Sequence, residues 1–247
     1  VMIRAFKANW PNYLIEAWAL GMFMLSATIF AGLLELPALP VRQNIADPVI
    51  RRWLMGGAMG MTAIALIYSG WGRRSGAHMN PAVTLTFWLL KKIDRYDALW
   101  YVAAQFAGGT AAMLLFKALF PAFAAAPEVN FVQTQPGAAG PVVAFAAEAG
   151  ISFGLFLTIL YASNYEKTAP YTGVFAGLLL LLYIALESPL SGTSMNPARS
   201  IASAVAAGDF RNQWIFLTAP VLGMLAAGKV WKWWICKNPA FRCSYHG

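Results

Sequence analysis

Ser75-Gly76-Ala77-His78-Met79-Asn80-Pro81-Ala82 and Ser191-Gly192-Thr193-Ser194-Met195-Asn196-Pro197-Ala198 share their Ser-Gly start and their Met-Asn-Pro-Ala end in one register. At ordinary residue usage one Asn-Pro-Ala is expected about 0.04 times in a chain of this length, so two copies inside longer matching strings are not coincidence. Each copy is followed by a short apolar run, Pro81–Leu90 and Pro197–Ala207, too short to cross a bilayer. Pro at the first helical position and Asn before it are start signals, because proline lacks an N–H that would go unpaired there and the Asn side chain caps the next free donors. Both runs therefore read as half-helices that begin at Asn80 and Asn196.

Working outward, six stretches of about 20 apolar residues surround them. They run roughly Tyr13–Leu36, Val49–Gly70, Ala98–Phe120, Val142–Ser163, Tyr171–Glu187 and Trp214–Ile235. Composition agrees: 59% of the 247 residues are hydrophobic and 11% charged, which excludes an ordinary soluble enzyme. The net charge of +8 is an orientation signal in so apolar a chain rather than a nucleic-acid surface. The first apolar stretch starts too late and runs too long for a secretory leader, so none is expected. The fold class expected is an all-α membrane protein of six transmembrane helices plus two re-entrant half-helices. A single membrane domain fills residues 1–247, with inverted repeats at about 10–120 and 140–235 and a tail at 236–247.

Three spans per half force the second half to enter from the opposite face, an inverted-topology repeat. The two half-helices then meet tip to tip. Their N-termini carry partial positive charge and unpaired N–H donors, while the irregular segments before them are tolerated at membrane depth only if buried or lining a wet cavity. Gly76, Ala77, His78, Met79, Gly192, Ser194 and Met195 are expected to expose a ladder of carbonyls to that cavity. Donors at the centre and acceptors along the approach suit water or small hydroxylated solutes and disfavour cations and protons. With both termini inside, twelve Lys and Arg fall on the cytoplasmic side and six on the outer side. A multi-pass integral membrane protein with cytoplasmic termini, in a bacterial inner membrane, is the expected location.

The two motifs, with Glu16 in the first span, Gln105 in the third and Glu148 in the fourth, make the chain resemble an aquaporin of the major intrinsic protein family, of prokaryotic type, over essentially its whole length. The resemblance implies a homotetramer in membrane lipid, one pore per protomer, and passive conduction of water or small neutral solutes. It makes Asn80, Pro81, Ala82, Asn196, Pro197 and Ala198 the pore motifs, with both Asn side chains donating to the passing oxygen. Counting from the motifs without gaps carries the family's outer constriction onto Arg199, Thr193, Ile184 and Gly60. Water-only members typically place an aromatic where Gly60 stands and His where Ile184 stands. Glycerol-conducting members usually have Asp where Ser200 stands and commonly an aromatic at Thr193. The filter thus matches neither type, and Met59, Met61 or Tyr183 are candidates to fill the space.

Glu16 and Glu148 are ionisable groups inside apolar spans, which marks them as functional candidates. They serve either proton coupling or the support of the re-entrant loops; their repeat-related positions favour support. His78 is either a pH gate beside Arg73 and Arg74 or a hydrogen-bonding loop residue, the second being the commoner fate. No nucleophile–base pair, phosphate loop or carboxylate dyad stands out, so no enzyme is expected. Cys236, Cys243 and His246 match no standard zinc spacing, so neither a metal nor a cofactor is expected. Two other functions use the same outline: an ion- or proton-coupled secondary carrier, and a structural membrane subunit whose pore is shut by Met59, Met61 and Ile184.

Overall fold

In the computed structural model, which describes residues 2–237, the chain is helical and the described residues contain no strand. Eight helices carry the architecture: α1 (Met2–Glu35), α2 (Pro48–Tyr68), α3 (Pro81–Leu89), α4 (Arg95–Leu119), α5 (Pro141–Asn164), α6 (Thr172–Leu186), α7 (Pro197–Ala207) and α8 (Gln213–Val230). Six are spans, and α3 and α7 are the half-helices. Five of the spans qualify by length and apolarity alone. The sixth, α2, has 21 residues, about 32 Å of helix. Arg51 and Arg52 in its first turns and its glycines dilute its apolar content.

The starts follow the capping signals. Asp47 and Asp94 accept from the N–H groups of Val49 and Tyr96 at 2.7 and 2.8 Å, and proline holds the first position of α2, α3, α5 and α7. The one large difference from the sequence reading is α1, which begins eleven residues before Tyr13 and runs through Pro11. Packing overrides the proline there: Phe6 and Tyr13 lie against Trp100, and Asn9 and Tyr13 both donate to Asp97 of α4. At 34 residues α1 is longer than a bilayer core needs, so its first turns extend beyond the spanning part.

Three helix pairs dominate the packing: α1 with α4, α5 with α8, and α2 with α6. Each contains a glycine where backbones touch. A Cβ at Gly108 would stand 2.2 Å from the carbonyl oxygen of Ala17, and one at Gly223 would stand 2.2 Å from that of Ala149. These two crossings are the same feature in the two repeats. With no hydrophobic drive between helices in lipid, such close approach supplies the dispersion energy that holds the bundle. The outer faces remain apolar, with Leu33, Leu115, Leu119, Val142, Leu178 and Leu222 exposed. That surface fits hydrocarbon and not water.

Two long connections are pinned. Arg51 pairs with Glu35 at 3.1 Å and donates to the carbonyls of Ile45 and Ala46, both at 2.7 Å, which binds residues 36–47 to the bundle. Lys117 donates to the carbonyl of Ala206 and lies over the ring of Phe131, so one cation closes the negative end of α7 and the loop above it. Cys236 is disulfide-bonded. Cys243, His246 and most of the expected tail lie outside the described residues.

Gly223→Val should lower the midpoint of thermal unfolding in detergent by several degrees or prevent assembly, since overpacking costs about 1–3 kcal/mol or more where only backbone can yield. Gly150→Ala, placed where a Cβ meets nothing within 4 Å, should leave the midpoint within about a degree, the exposed-helix substitution being favourable if anything. Equal behaviour of the two would contradict the crossing.

Candidate solute pore

Asn80 and Asn196 are neighbours. Each side-chain oxygen caps its own half-helix: Oδ1 of Asn80 accepts from the Ala82 N–H at 2.9 Å, and Oδ1 of Asn196 from those of Ala198 and Arg199 at 3.0 and 3.2 Å. Each amide nitrogen crosses to the other repeat. Asn80 Nδ2 donates to the Met195 carbonyl at 2.6 Å, and Asn196 Nδ2 to the Met79 carbonyl at 2.7 Å. The half-helices are thus clasped reciprocally at their tips. An amide has two donor hydrogens, so each Asn keeps one outside the clasp.

The loops leading to the caps are held by the buried acids. Glu16 accepts from the Ser75 hydroxyl at 2.8 Å, the backbone N–H groups of His78 and Met79 at 3.0 and 2.6 Å, and Gln105 Nε2 at 2.8 Å. Glu148 accepts from the N–H groups of Ser194 and Met195 at 2.6 and 2.8 Å and lies 2.6 Å from the Ser191 hydroxyl. These anchors are needed because the loops are strained. Gly76 and Gly192 have φ of 89° and 81°, and Ala77, Met79, Thr193 and Met195 all have φ near 50°, a region costing about 1–2 kcal/mol for a residue with a Cβ. The carbonyls of Gly76, Ala77 and His78, and those of Gly192, Thr193 and Ser194, accept nothing from a described residue. The carbonyls of Met79 and Met195, placed in the ladder by sequence, are instead taken up by the clasp.

A cavity of about 680 Å³ runs from Tyr68, Arg73, Ser163 and Pro170 to this clasp. Gly76, Ala77, His78 and Met79 line it, as do Asn80, Ser194, Met195 and Asn196. His78 is engaged rather than free: its ring sits 3.1 Å from the Thr84 hydroxyl and against Phe87 and Tyr101. Ala63 and Ile67 of α2 and Ala176 and Leu180 of α6 also line the cavity. Residues four apart share a helix face, so the next members of these two stripes beyond the clasp are Met59 and Ile184. Both belong to the apolar cluster continuous with Leu20, Phe23 and Met79.

Gly60 is not on that stripe. A Cβ there would stand 2.5 Å from the Gly177 carbonyl oxygen; the residue is where α2 meets α6. The physical reason is the 100° turn per residue, which separates Met59 from Gly60 by more than a quarter of the helix circumference. Met61 is 71% exposed and faces outward, so it closes nothing. Tyr183 reaches Gly154 of α5 instead. Thr193 donates from its hydroxyl to Glu187 at 2.6 Å, and Ser200 bonds Thr134 and Ser194 through hydroxyls at 2.7 and 2.5 Å. Arg199 Nη1 is buried with no hydrogen-bond partner among the described residues. Glu187, 8% exposed, was hidden in the sequence because it stands at the end of an apolar span and reads as its boundary.

Comparison with known proteins bears directly on this geometry. The family model described as major intrinsic protein matches residues 8–231. The chain belongs to the major intrinsic protein family. Among curated relatives it is 36% identical over 173 residues to a putative aquaporin, NIP4-1, of Arabidopsis thaliana, covering 70% of this chain and 59% of that one. It is 36% identical over 168 residues to aquaporin NIP1-3 of rice, Oryza sativa subsp. japonica, covering 68% and 57%. The chain therefore spans somewhat over half the length of the curated relatives it matches. The crystal structure of the aquaglyceroporin from Plasmodium falciparum superposes with a TM-score of 0.75 at 19% identity, over 92% of this chain and 97% of that one, which establishes the shared fold. As a major intrinsic protein the chain is an integral, multi-pass membrane protein, with the six spans and two re-entrant half-helices read from its sequence.

Glu16→Gln should reduce the yield of monodisperse protein on size-exclusion chromatography by about tenfold. The amide would oppose one backbone N–H with its own, and an unsatisfied buried donor costs about 1–3 kcal/mol. Glu148→Gln should act the same way without changing which solutes pass. Normal yield together with a new pH dependence of flux would instead favour a proton-coupling role.

Proposed function

We propose that this major intrinsic protein forms a passive transmembrane pore for water and small uncharged solutes and excludes ions and protons. The observation that carries the reading is the clasp of Asn80 and Asn196 at the closed end of the 680 Å³ cavity. On this reading two helix N-termini, two spare amide hydrogens and the unengaged carbonyls of the two loops lie along one path. A water or hydroxyl oxygen meeting donors at the centre is turned so that its own hydrogens face outward in both directions, which interrupts a proton wire, and the two positive helix ends repel cations.

Arg199, Thr193, Ile184 and Met59 form the proposed outer constriction, in which Met59 takes the place the sequence count gave to Gly60. Arg199 supplies charge and donors, Thr193 an acceptor, and the two apolar side chains set the width. A solute that is partly apolar and partly hydroxylated fits such a mixture better than a bare ion. A secondary carrier needs ionisable coupling groups, and Glu16 and Glu148 are instead occupied as loop anchors. The pore works as a homotetramer in membrane lipid, as the family resemblance implies, with both termini in the cytoplasm on the strength of the Lys and Arg excess.

Reconstituted liposomes should shrink in stopped-flow light scattering at least about tenfold faster than empty ones, with no ion current in planar bilayers. Arg199→Val should add a measurable cation conductance. Met59→Ala should raise the permeability of a three-carbon polyol relative to water by about threefold or more, because it removes the longer of the two apolar side chains at the narrow point. Shrinkage equal to that of empty liposomes, or solute uptake that follows an ion gradient, would sink the pore.

A further inference from the structure

Ser191 Oγ has three polar neighbours: the Thr193 N–H at 3.1 Å, Glu148 Oε1 at 2.6 Å and Glu187 Oε1 at 2.5 Å. A serine hydroxyl holds one hydrogen and two lone pairs. One lone pair takes the Thr193 N–H, and the single hydrogen can go to only one carboxyl group. Were both acids ionised, one short oxygen–oxygen contact would contain no hydrogen and two buried like charges would face each other across it. The count closes when one acid is carboxylic. Its O–H then fills the second lone pair of Ser191, and Ser191 passes its own hydrogen to the other acid.

The surroundings decide which acid holds the proton. Glu148 accepts two backbone N–H groups, bonds that only an oxygen lone pair can take and that favour a carboxylate. Glu187 receives no N–H bond; its Oε2 is met by the Thr193 hydroxyl at 2.6 Å. It also follows directly on the C-terminal end of α6, where backbone carbonyls disfavour negative charge. The titratable group facing it is Glu148 from α5, reached through the Ser191 hydroxyl; the other groups that meet its carboxyl, Ser191 and Thr193, carry no charge. The segment Gln133, Thr134 and Gln135 that covers the Gly192 loop brings no charge. Loop support does not require a second acid: in the motif register Glu187 corresponds to Trp71, and Glu16 anchors its loop without one.

We propose that Glu187 is a carboxylic acid at neutral pH, sharing one proton through Ser191 with the Glu148 carboxylate, and that it positions Thr193 in the constriction. The Thr193 hydroxyl hydrogen goes to Glu187 at 2.6 Å, with the Tyr183 carbonyl a longer second acceptor at 3.3 Å, so Thr193 offers a guest acceptor character only, while Arg199 offers donors only. That fixed polarity selects solutes that donate and accept at once. When the proton leaves, Ser191 loses one of its two carboxyl contacts and the Thr193 loop loses its reference point. Flux through the constriction then falls as pH rises. The proton assignment rests on the hydrogen count and on the surroundings of the two acids; its effect on permeation rests on the pore reading.

Infrared spectroscopy of the full-length protein in liposomes separates the two. The wild type at neutral pH should show the C=O stretch of a buried carboxylic acid, lost as pH is raised and missing in Glu187→Gln. Absence of that band from the wild type, or its survival in Glu187→Gln, overturns the assignment whether or not solutes pass. In stopped-flow assays the wild-type ratio of neutral to alkaline flux should be about fivefold or more, and Glu187→Gln, which has no proton to lose, should bring it to about one. A wild-type ratio of one, or an unchanged ratio in Glu187→Gln, overturns the positioning of Thr193. If the variant does not assemble, the wild-type band and its loss with pH decide the assignment by themselves.

Discussion

Two helices that stop in the middle of a membrane leave free N–H groups where no lipid can pair them, and the whole arrangement depends on how those donors are satisfied. Glu16 and Glu148 solve the problem from the neighbouring spans, each gathering two backbone N–H groups of a loop that could not otherwise hold its shape. Charge-assisted bonds of this kind contribute about 1.5–3 kcal/mol apiece. Four left-handed residues with side chains cost about 1–2 kcal/mol each. The bonds therefore match or exceed the strain, and the loops persist because the acids are there. The asparagine clasp comes second in this order: it can form only after both loops have brought the caps together.

The repeat is a symmetric scaffold with asymmetric contents. The crossings at Gly108 and Gly223 and the acids at Glu16 and Glu148 correspond closely. By the offset that relates those two glycines, however, Gln105 beside Glu16 becomes Pro220, which brings no donor. In the register of the two motifs His78 becomes Ser194, and Trp71 becomes Glu187. The half that loses a glutamine donor thus gains a second acid and a serine–threonine network, along with Arg199. One end of the proposed path is a wide vestibule shaped by carbonyls and a satisfied histidine, and the other is the proposed constriction, built from groups with fixed hydrogen-bond sense.

What could be read in the sequence was whatever depends on position along the chain. Spans, half-helix starts and the pairing of Glu16 with Glu148 all follow from spacing, charge and the prolines. What could not be read depends on rotation about a helix axis or on contacts made by distant segments. The start of α1 was hidden because Pro11 and the polar residues around it look like a boundary, and only the contact with Trp100 and Asp97 makes them helical. The left-handed run Asn130, Phe131 and Val132 has no local signal, since it is imposed by packing onto α7. Glu187 carried no mark that a partner hydroxyl would come from the very motif it precedes.

The difference between Met59 and Gly60 shows how much one residue of helical phase can change a functional reading. A glycine assigned to the constriction argues for a wide pore. The same glycine turned onto the α6 interface argues the reverse, because the absence of a Cβ lets α2 approach until a side-chain atom there would stand 2.5 Å from the Gly177 carbonyl oxygen. That approach carries the faces bearing Met59 and Ile184 toward each other. Gly56 adds to it one turn away, where a Cβ would stand 2.5 Å from the carbonyl oxygen of Leu181. In the proposed constriction the small residues of α2 would therefore act on selectivity through the backbone: they set how near two apolar side chains stand, and the polar side of the opening is left to Thr193 and Arg199.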